Sequence, residues 1–580
     1  MSLRGRALQT LFFLAVFASV VCPKGVAAEP SFADTLNRFS LSNNYGKQIA
    51  LSEYSDTPII VIAFLGTECP LAKLYGPRLD RLADRFADKG VAILGVCSNK
   101  QDSLTELTAY VHRFEIGFPM LKDVGNKLAD AMQATRTPEV FVLDQNRQVR
   151  YHGRIDDQYG VGYARDKPNK NDLADAIEAL VDGKTIAQPE TQAVGCVIGR
   201  VKTRPATGDV TYTKDIAPIL NSRCAECHRD GEIGPFTLTS YEDVLGWEDT
   251  ILEVIDDRRM PPWNANPKFG HFSNDPRLSE QEIALLRTWV DNGMPQGDPA
   301  DLPEPPQFVT GWRIPKPDQV LKMSEEAFKV PAEGIVDYQR YVVDPGWDED
   351  KYIYAAEARP QNRQVVHHIL VYVIPPGEDR RSLKAILAGY APGNVPVNYG
   401  PNAAMWVPAG SKLLFELHYT PNGRAQTDLS YAGVCFTTKD KVKTLIRGRA
   451  VIEHDLNISP GDDNHEVVAR PYVSRRTEYL LSMTPHMHLR GKAFRYEAIY
   501  PDGSRETLLD VPNYDFNWQL KYELAEPKKL PRGTKIVGTA VYDNSEKNLV
   551  NPDPTRTVHW GDQSDEEMMI GFFDVSPTKP

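Results

Sequence analysis

Residues 224–228 read CAECH. Two thiols three positions apart on one helical turn can add to the two vinyl groups of a haem, leaving the adjacent His228 to bind the iron. A zinc site would want a second Cys or His pair nearby, and none follows; a redox dithiol belongs in an α/β setting that this segment lacks. Met260, in RRMPPW, offers a thioether to the other face of the iron, and Met294, in NGMPQGD, is the alternative. One covalently attached c-type haem held by Cys224, Cys227, His228 and Met260 is therefore expected.

Eight of the twelve histidines fall after residue 308. His367 and His368 are adjacent in VVHHILVYV, His418 sits in ELHYT, and His486 and His488 are two apart in TPHMHLRG. On a strand, residues i and i+2 leave one face, so His486 and His488 can share a metal. Adjacent residues leave opposite faces, so His367 and His368 can do so only at a bulge or strand end. Each motif by itself equally suits a half-buried strand without metal. Two methionines, Met568 and Met569, follow Glu567 in SDEEMMIGFF.

Cys69, in FLGTECPLAK, lies between an apolar strand and a helix, where N-terminal amides lower a thiol pKa. The competing reading is an inert half-buried cysteine. Ala72 stands three positions on, and Cys97 and Cys196 are the next cysteines along the chain.

The elements that must position these groups divide the chain of 580 residues into several domains. With 66 basic and 78 acidic residues the formal charge is −12, which excludes nucleic acid as a natural partner. Residues 1–28 have a basic start, an apolar run and a small-residue end, the pattern of an export signal, so a periplasmic or extracellular chain is expected. No later stretch reaches the roughly 18–20 apolar residues of a membrane helix, so no transmembrane segment is expected in the mature chain. Two proline-rich passages, 186–209 and 294–307, read as linkers. Before the first, strands at 59–66, 91–97, 139–144 and 148–153 alternate with helices, one carrying Leu79, Leu82 and Phe86 and one near 172–182. Between the linkers the pattern is helical, ending at 278–293, where Ser279 and Glu282 form a capping box. From 308 onward short alternating strands separated by Pro, Gly and Asn turns predict an all-β region.

Three resemblances accompany these motifs. Cys69 and Thr137-Pro138 make residues 30–185 resemble the thioredoxin/redoxin superfamily, with Cys69 at the first active-site cysteine and Thr137-Pro138 at the cis-proline turn. Gly66 stands where peroxidase members carry a threonine. CAECH, MPPW and the closing helix make 208–298 resemble class I-like cytochromes c. VVHH, ELHYT, TPHMH and SDEEMMIGFF make 310–575 resemble the copper type II, ascorbate-dependent monooxygenases. That last resemblance implies two copper ions, one on His367, His368 and His418 and one on His486, His488 and Met568. Thr484 and Phe572 replace the family's carboxylate-binding arginine and tyrosine, which argues against peptide α-amidation, while Tyr419, Asp543 and His559 are polar candidates for the pocket wall.

The expected fold is multidomain: a signal peptide (1–28), a thioredoxin-like α/β domain (29–200), a small all-α cytochrome c domain (208–300), and two all-β jelly-roll-like sandwiches (308–440 and 441–580). The expected activity is hydroxylation of a C–H bond in a small organic or peptide substrate with O2. The electrons would come from an ascorbate-like donor or a redox protein, by way of the haem. Cys69 and Met568 are the catalytic candidates. The competing expectation is thiol-disulfide or peroxide chemistry at Cys69, with the β-region as a copper- or substrate-binding module.

Overall fold

A computed structural model describes residues 36, 38–202, 205–309, 311–378, 385–391 and 394–579. The export-signal segment 1–28 lies outside them. The N-terminal region is built on a seven-stranded mixed sheet in the order 48–50, 40–43, 120–122, 91–97, 59–64, 139–143, 149–153. Ile59–Phe64 is buried at every position, as a central strand covered on both faces must be. Helix Pro70–Phe86 starts with proline at its first turn, where the missing N–H costs nothing, and buries Leu79 and Phe86 against the sheet. Each such side chain contributes about 1.5–3 kcal/mol.

A helical stretch follows, with helices Ala217–Arg223, Glu248–Asp256 and Glu280–Asp291 around Tyr212, Trp247 and Trp289. The capping box is formed: Ser279 Oγ accepts from the Glu282 amide at 3.2 Å. The rest of the described chain is largely β, in several antiparallel sheets. A four-stranded sheet (339–343, 412–419, 366–374, 386–390) packs against one half of a large sheet around Val371, Phe415 and Leu417. A second sheet built on 465–468, 535–542, 491–499 and 505–511 packs against the other half around Phe494, Tyr496 and Tyr542.

Two features depart from the sequence reading. The large sheet spans the expected boundary at 440, because Ala403–Val407 pairs in parallel with Thr444–Ile452, so hydrogen bonding is continuous between the two expected sandwiches. The first passage read as a linker is also structured: Cys196–Val197 pairs antiparallel with Arg136–Thr137, and Ile198 is fully buried in the N-terminal core. Its proline-rich composition hid a short segment whose order comes from docking rather than from any local period. No helix among the described residues is long and apolar enough to cross a membrane.

Candidate functional sites

Cys69 caps helix Pro70–Phe86 and is wholly buried. Its Sγ lies 2.9 Å from the Thr137 carbonyl oxygen, to which the thiol donates, and the Thr137–Pro138 peptide is cis. The pairing of Cys196 with Thr137 brings the Cys196 thiol onto Cys69. Burial pushes the Cys69 thiol up, but hydrogen bonds from the Cys196 thiol and amide and the Ala72 amide outweigh it and hold Cys69 at about 6. Cys196 moves well up, because its hydrogen bond to Cys69 favours the protonated form and burial adds to the effect. A thiolate facing a protonated thiol is the arrangement from which a disulfide forms by exchange.

Cys97, the other candidate partner, is buried apart, with Sγ 3.2 Å from Asp102 Oδ2 and 3.8 Å from Lys122 Nζ. Burial and the Asp102 charge push it well up. Gly66 is confined as well. A Cβ there would lie 2.5 Å from Asn99 Nδ2 and 3.0 Å from Thr137 Oγ1, so this pocket has no room for a peroxidase-like threonine without displacing buried groups.

In the helical stretch, Cys224, Cys227 and His228 lie on one turn, the His228 amide donating to the Cys224 carbonyl at 2.9 Å. His228 Nδ1 bonds the Phe236 carbonyl at 3.1 Å, which orients the ring and leaves Nε2 for a metal. This donor set fits a haem. Met260 lines a cleft of about 1490 Å³ together with Ile255, Trp263 and Ile283. Met294 is instead buried in the helical core beside Tyr212 and Trp289.

In the β-region, His367, His368 and His418 offer ring nitrogens that all lie within 4.8 Å of one another. The strand rule that separates adjacent side chains is broken locally: the register between 366–374 and 412–419 shifts between Val366 and His368, so His367 occupies a bulge. His367 Nδ1 and His368 Nδ1 are 3.1 Å apart, close to the separation of about 3 Å for two imidazoles bound to one ion at about 2.0–2.1 Å. His368 Nε2 and His418 Nδ1 are buried without a hydrogen-bond partner, an arrangement that costs about 1–3 kcal/mol per group. Burial lowers all three, His367 to about 4 and the other two well below the ordinary range, where neighbouring imidazoles add to the effect. Neutral rings with free lone pairs fit a metal ion.

His486 and His488 end the strand Glu478–His486 and the turn after it, with ring centroids 5.3 Å apart. His486 Nδ1 meets Gln519 Oε1 at 2.7 Å and His488 Nδ1 meets the Glu566 carbonyl at 3.2 Å, contacts that orient both rings. Met568 packs between the sandwiches with Tyr372, Leu414 and Phe572, and the Phe572 ring lies 6.4 Å from His486. Met569 is buried in the C-terminal core. No described contact joins the Met568 sulfur to either histidine. Among the polar candidates, Tyr419 donates to Asp428 at 2.9 Å, His559 bonds the Leu456 carbonyl at 3.1 Å, and Asp543 lines the large cleft.

Sequence reasoning missed the residues that join the two histidine groups. The Tyr338 ring lies 5.4 Å from His368, 5.2 Å from His418 and 5.8 Å from His488, and Phe516 lies 5.2 Å from His418 and 6.2 Å from His488. Neither stands in a motif, so only folding reveals them.

Comparison with known proteins bears on the Cys69 site. Residues 32–152 match the AhpC/TSA family. The thiol-disulfide oxidoreductase ResA of Halalkalibacterium halodurans is 24% identical over 111 residues, covering 19% of this chain and 61% of that protein. The chloroplastic peroxiredoxin Q of Suaeda salsa is 24% identical over 119 residues, covering 19% of this chain and 54% of that protein. This chain thus spans between half and two thirds of the length of these curated relatives. A hypothetical protein from Sinorhizobium meliloti 1021 of known structure is 31% identical, covering 28% of this chain and 91% of that one, with a TM-score of 0.26.

Proposed function

We propose, from the premise that residues 32–152 form an AhpC/TSA redoxin domain, that this chain is an oxidoreductase working through a Cys69–Cys196 couple, with a metal-binding β-region. The observation that carries the reading is the docking of Cys196 opposite Thr137, which sets its thiol against the buried Cys69 thiol at the head of helix Pro70–Phe86. The Cys69 thiolate attacks one sulfur of an external disulfide, forming a mixed disulfide and releasing one thiolate. Cys196, giving up its proton, then attacks the Cys69 sulfur; the internal disulfide forms and the second external thiolate leaves. An external disulfide is preferred to a hydroperoxide as the oxidant, because Gly66 stands where peroxidase members carry a threonine. An exported chain, periplasmic or extracellular, suits a disulfide that must persist.

The test is a non-reducing peptide map after mild oxidation. The reading expects a peptide joining Cys69 to Cys196, lost in Cys69→Ser; both thiols free would overturn it.

A second reading is favoured by the histidine geometry: a copper-dependent monooxygenase acting on an organic or peptide substrate, with O2 and an ascorbate-like or protein electron donor. His367, His368 and His418 would hold one copper ion, and His486, His488 and Met568 a second. Bound copper would supply one-electron and O2 chemistry. The chain's own residues keep the rings neutral by burial and aim them through Gln519 and the Glu566 carbonyl. Cys224, Cys227 and His228, with Met260 as the candidate thioether, would hold a haem, which would supply one-electron chemistry. Two copper atoms per chain with reductant-dependent O2 uptake are expected; absence of copper after reconstitution removes this reading.

A further inference from the structure

The Cys69 site is sealed by the chain's own segment 195–202. Cys196–Val197 takes the edge of Arg136–Thr137, the Ile198 amide donates to the Thr135 carbonyl at 2.9 Å, and the Lys100 amide donates to the Gly199 carbonyl at 2.9 Å. The Gly199 amide donates to Asn99 Oδ1 at 3.1 Å and the Val201 amide to Asn126 Oδ1 at 2.9 Å. Gly195 has φ +149, and a Cβ there would stand 2.0 Å from the Thr137 carbonyl oxygen, so only glycine permits this approach.

The outer face of the segment is held by helix Glu248–Asp256. The Val197 amide donates to Thr250 Oγ1 at 3.2 Å, and Lys202 Nζ pairs with Asp249 at 2.8 Å. Arg136, beside Thr137, pairs with Glu253 at 2.7 Å, and Glu253 also pairs with Arg259 at 2.7 Å. Gly199 and Gly246 close on Gln101 from two sides, and a Cβ on either would meet its Oε1 within 2.0 and 2.3 Å. Cys196 consequently packs against both the redoxin and the helical cores.

We infer that segment 195–202 is a tethered pseudo-substrate: it fills the extended-peptide site beside Cys69, and the helical region clamps it shut. Cys69 has no exposed surface, so an external sulfur reaches it only after Cys196 lifts away, which breaks the Val197–Thr250 bond. The inference rests on the thiol reading above and assigns its regulation.

The experiment follows alkylation of Cys69 by a bulky maleimide in the full-length protein at pH 7.5. Thr250→Val and Glu253→Gln weaken the clamp from the helical side: the first touches no group of the redoxin strand, and the second releases Arg136, so agreement between the two separates loosening of the segment from a change of charge beside it. Loss of one such interaction, worth about 1.4 kcal/mol, raises the open population and the labelling rate about tenfold. Hydrogen exchange on the same samples is expected to show faster exchange at 195–202 while the sheet strand 59–64 is unchanged, which separates opening from unfolding. Equal labelling rates in wild type and both variants, with unchanged exchange at 195–202, would overturn the clamp. If the oxidised wild type fails to yield the Cys69–Cys196 peptide, the thiol reading itself falls; if that peptide forms and labelling is insensitive to the clamp, only the present inference does.

Discussion

The redoxin site and the histidine cluster solve the same problem, bringing distant reactive groups together, by different means. Cys69 stands at a strand-to-helix junction, and its partner arrives by adding a two-residue strand to an existing edge. The histidines sit inside long strands of two sandwiches and meet only where those sandwiches pack, at a bulge on one side and a strand end on the other. The first arrangement can open by local undocking, because its second group lies on a short tethered segment. The second is set by the packing of whole sheets and changes little unless the cores move. The thiol couple is thus the adjustable half of the molecule and the histidine cluster the preorganised half.

The sharpest way to break this contrast is to remove one group from each half. On the copper reading, His418→Ala takes away one of three clustered imidazoles and is expected to weaken copper binding there by more than about 100-fold, since even outer-shell losses cost 10–100-fold. The Cys69–Cys196 peptide should survive unchanged. Equilibrium metal titration with the peptide map as companion checks both; a disulfide that failed to form in His418→Ala would show the halves to be coupled.

Next in size is Gln519→Ala, which frees His486 Nδ1 from its 2.7 Å hydrogen bond. The ring then loses its fixed orientation, and copper affinity at His486 and His488 should fall by about tenfold or more, with the three-histidine site unaffected. Stepwise titration followed by copper EPR distinguishes the two sites.

Cys196→Ala probes the adjustable half through pH. The Cys69 thiol is held at about 6 by donors that include the Cys196 thiol and amide. Its reactivity is therefore present above that value and is lost as pH falls through it. Without the Cys196 thiol, burial dominates and the midpoint of the iodoacetamide rate against pH moves up by more than about one unit, a factor of ten at pH 6. The midpoint is the relevant readout, since the variant also uncovers Cys69 and raises the plateau. A midpoint still near 6 would assign the lowering to the backbone amides of residues 196 and 72, which the variant keeps.

Much of this was legible in the sequence wherever local chemistry decides. The buried strand Ile59–Phe64, the Cys69 helix cap and the Ser279–Glu282 capping box follow from composition and spacing within a few residues. The HH motif was legible only as a condition, that a bulge must exist, and the register shift at His367 meets it. The docked strand at Cys196 was hidden in a proline-rich passage because its order is entirely tertiary. Tyr338, Phe516 and Gln519 left no signal, since aromatic and amide side chains are common in β proteins and nothing in their spacing points at a metal.

The smallest expected effect tests whether the helical region couples the two halves at all. Ser279 caps Glu280–Asp291, accepting from the Glu282 amide at 3.2 Å, while Glu282 also pairs with Arg223 at 3.1 Å, the residue before Cys224. Ser279→Ala should cost about 1 kcal/mol in denaturant unfolding of this region. The loss falls on the face that braces the CAECH turn, away from Thr250 and Glu253. Maleimide labelling of Cys69 should therefore stay at the wild-type rate, whereas Thr250→Val, at comparable cost, accelerates it. Equal acceleration by both substitutions would mean that general loosening of the helices, rather than the specific grip of helix Glu248–Asp256 on the docked strand, governs access to the thiol.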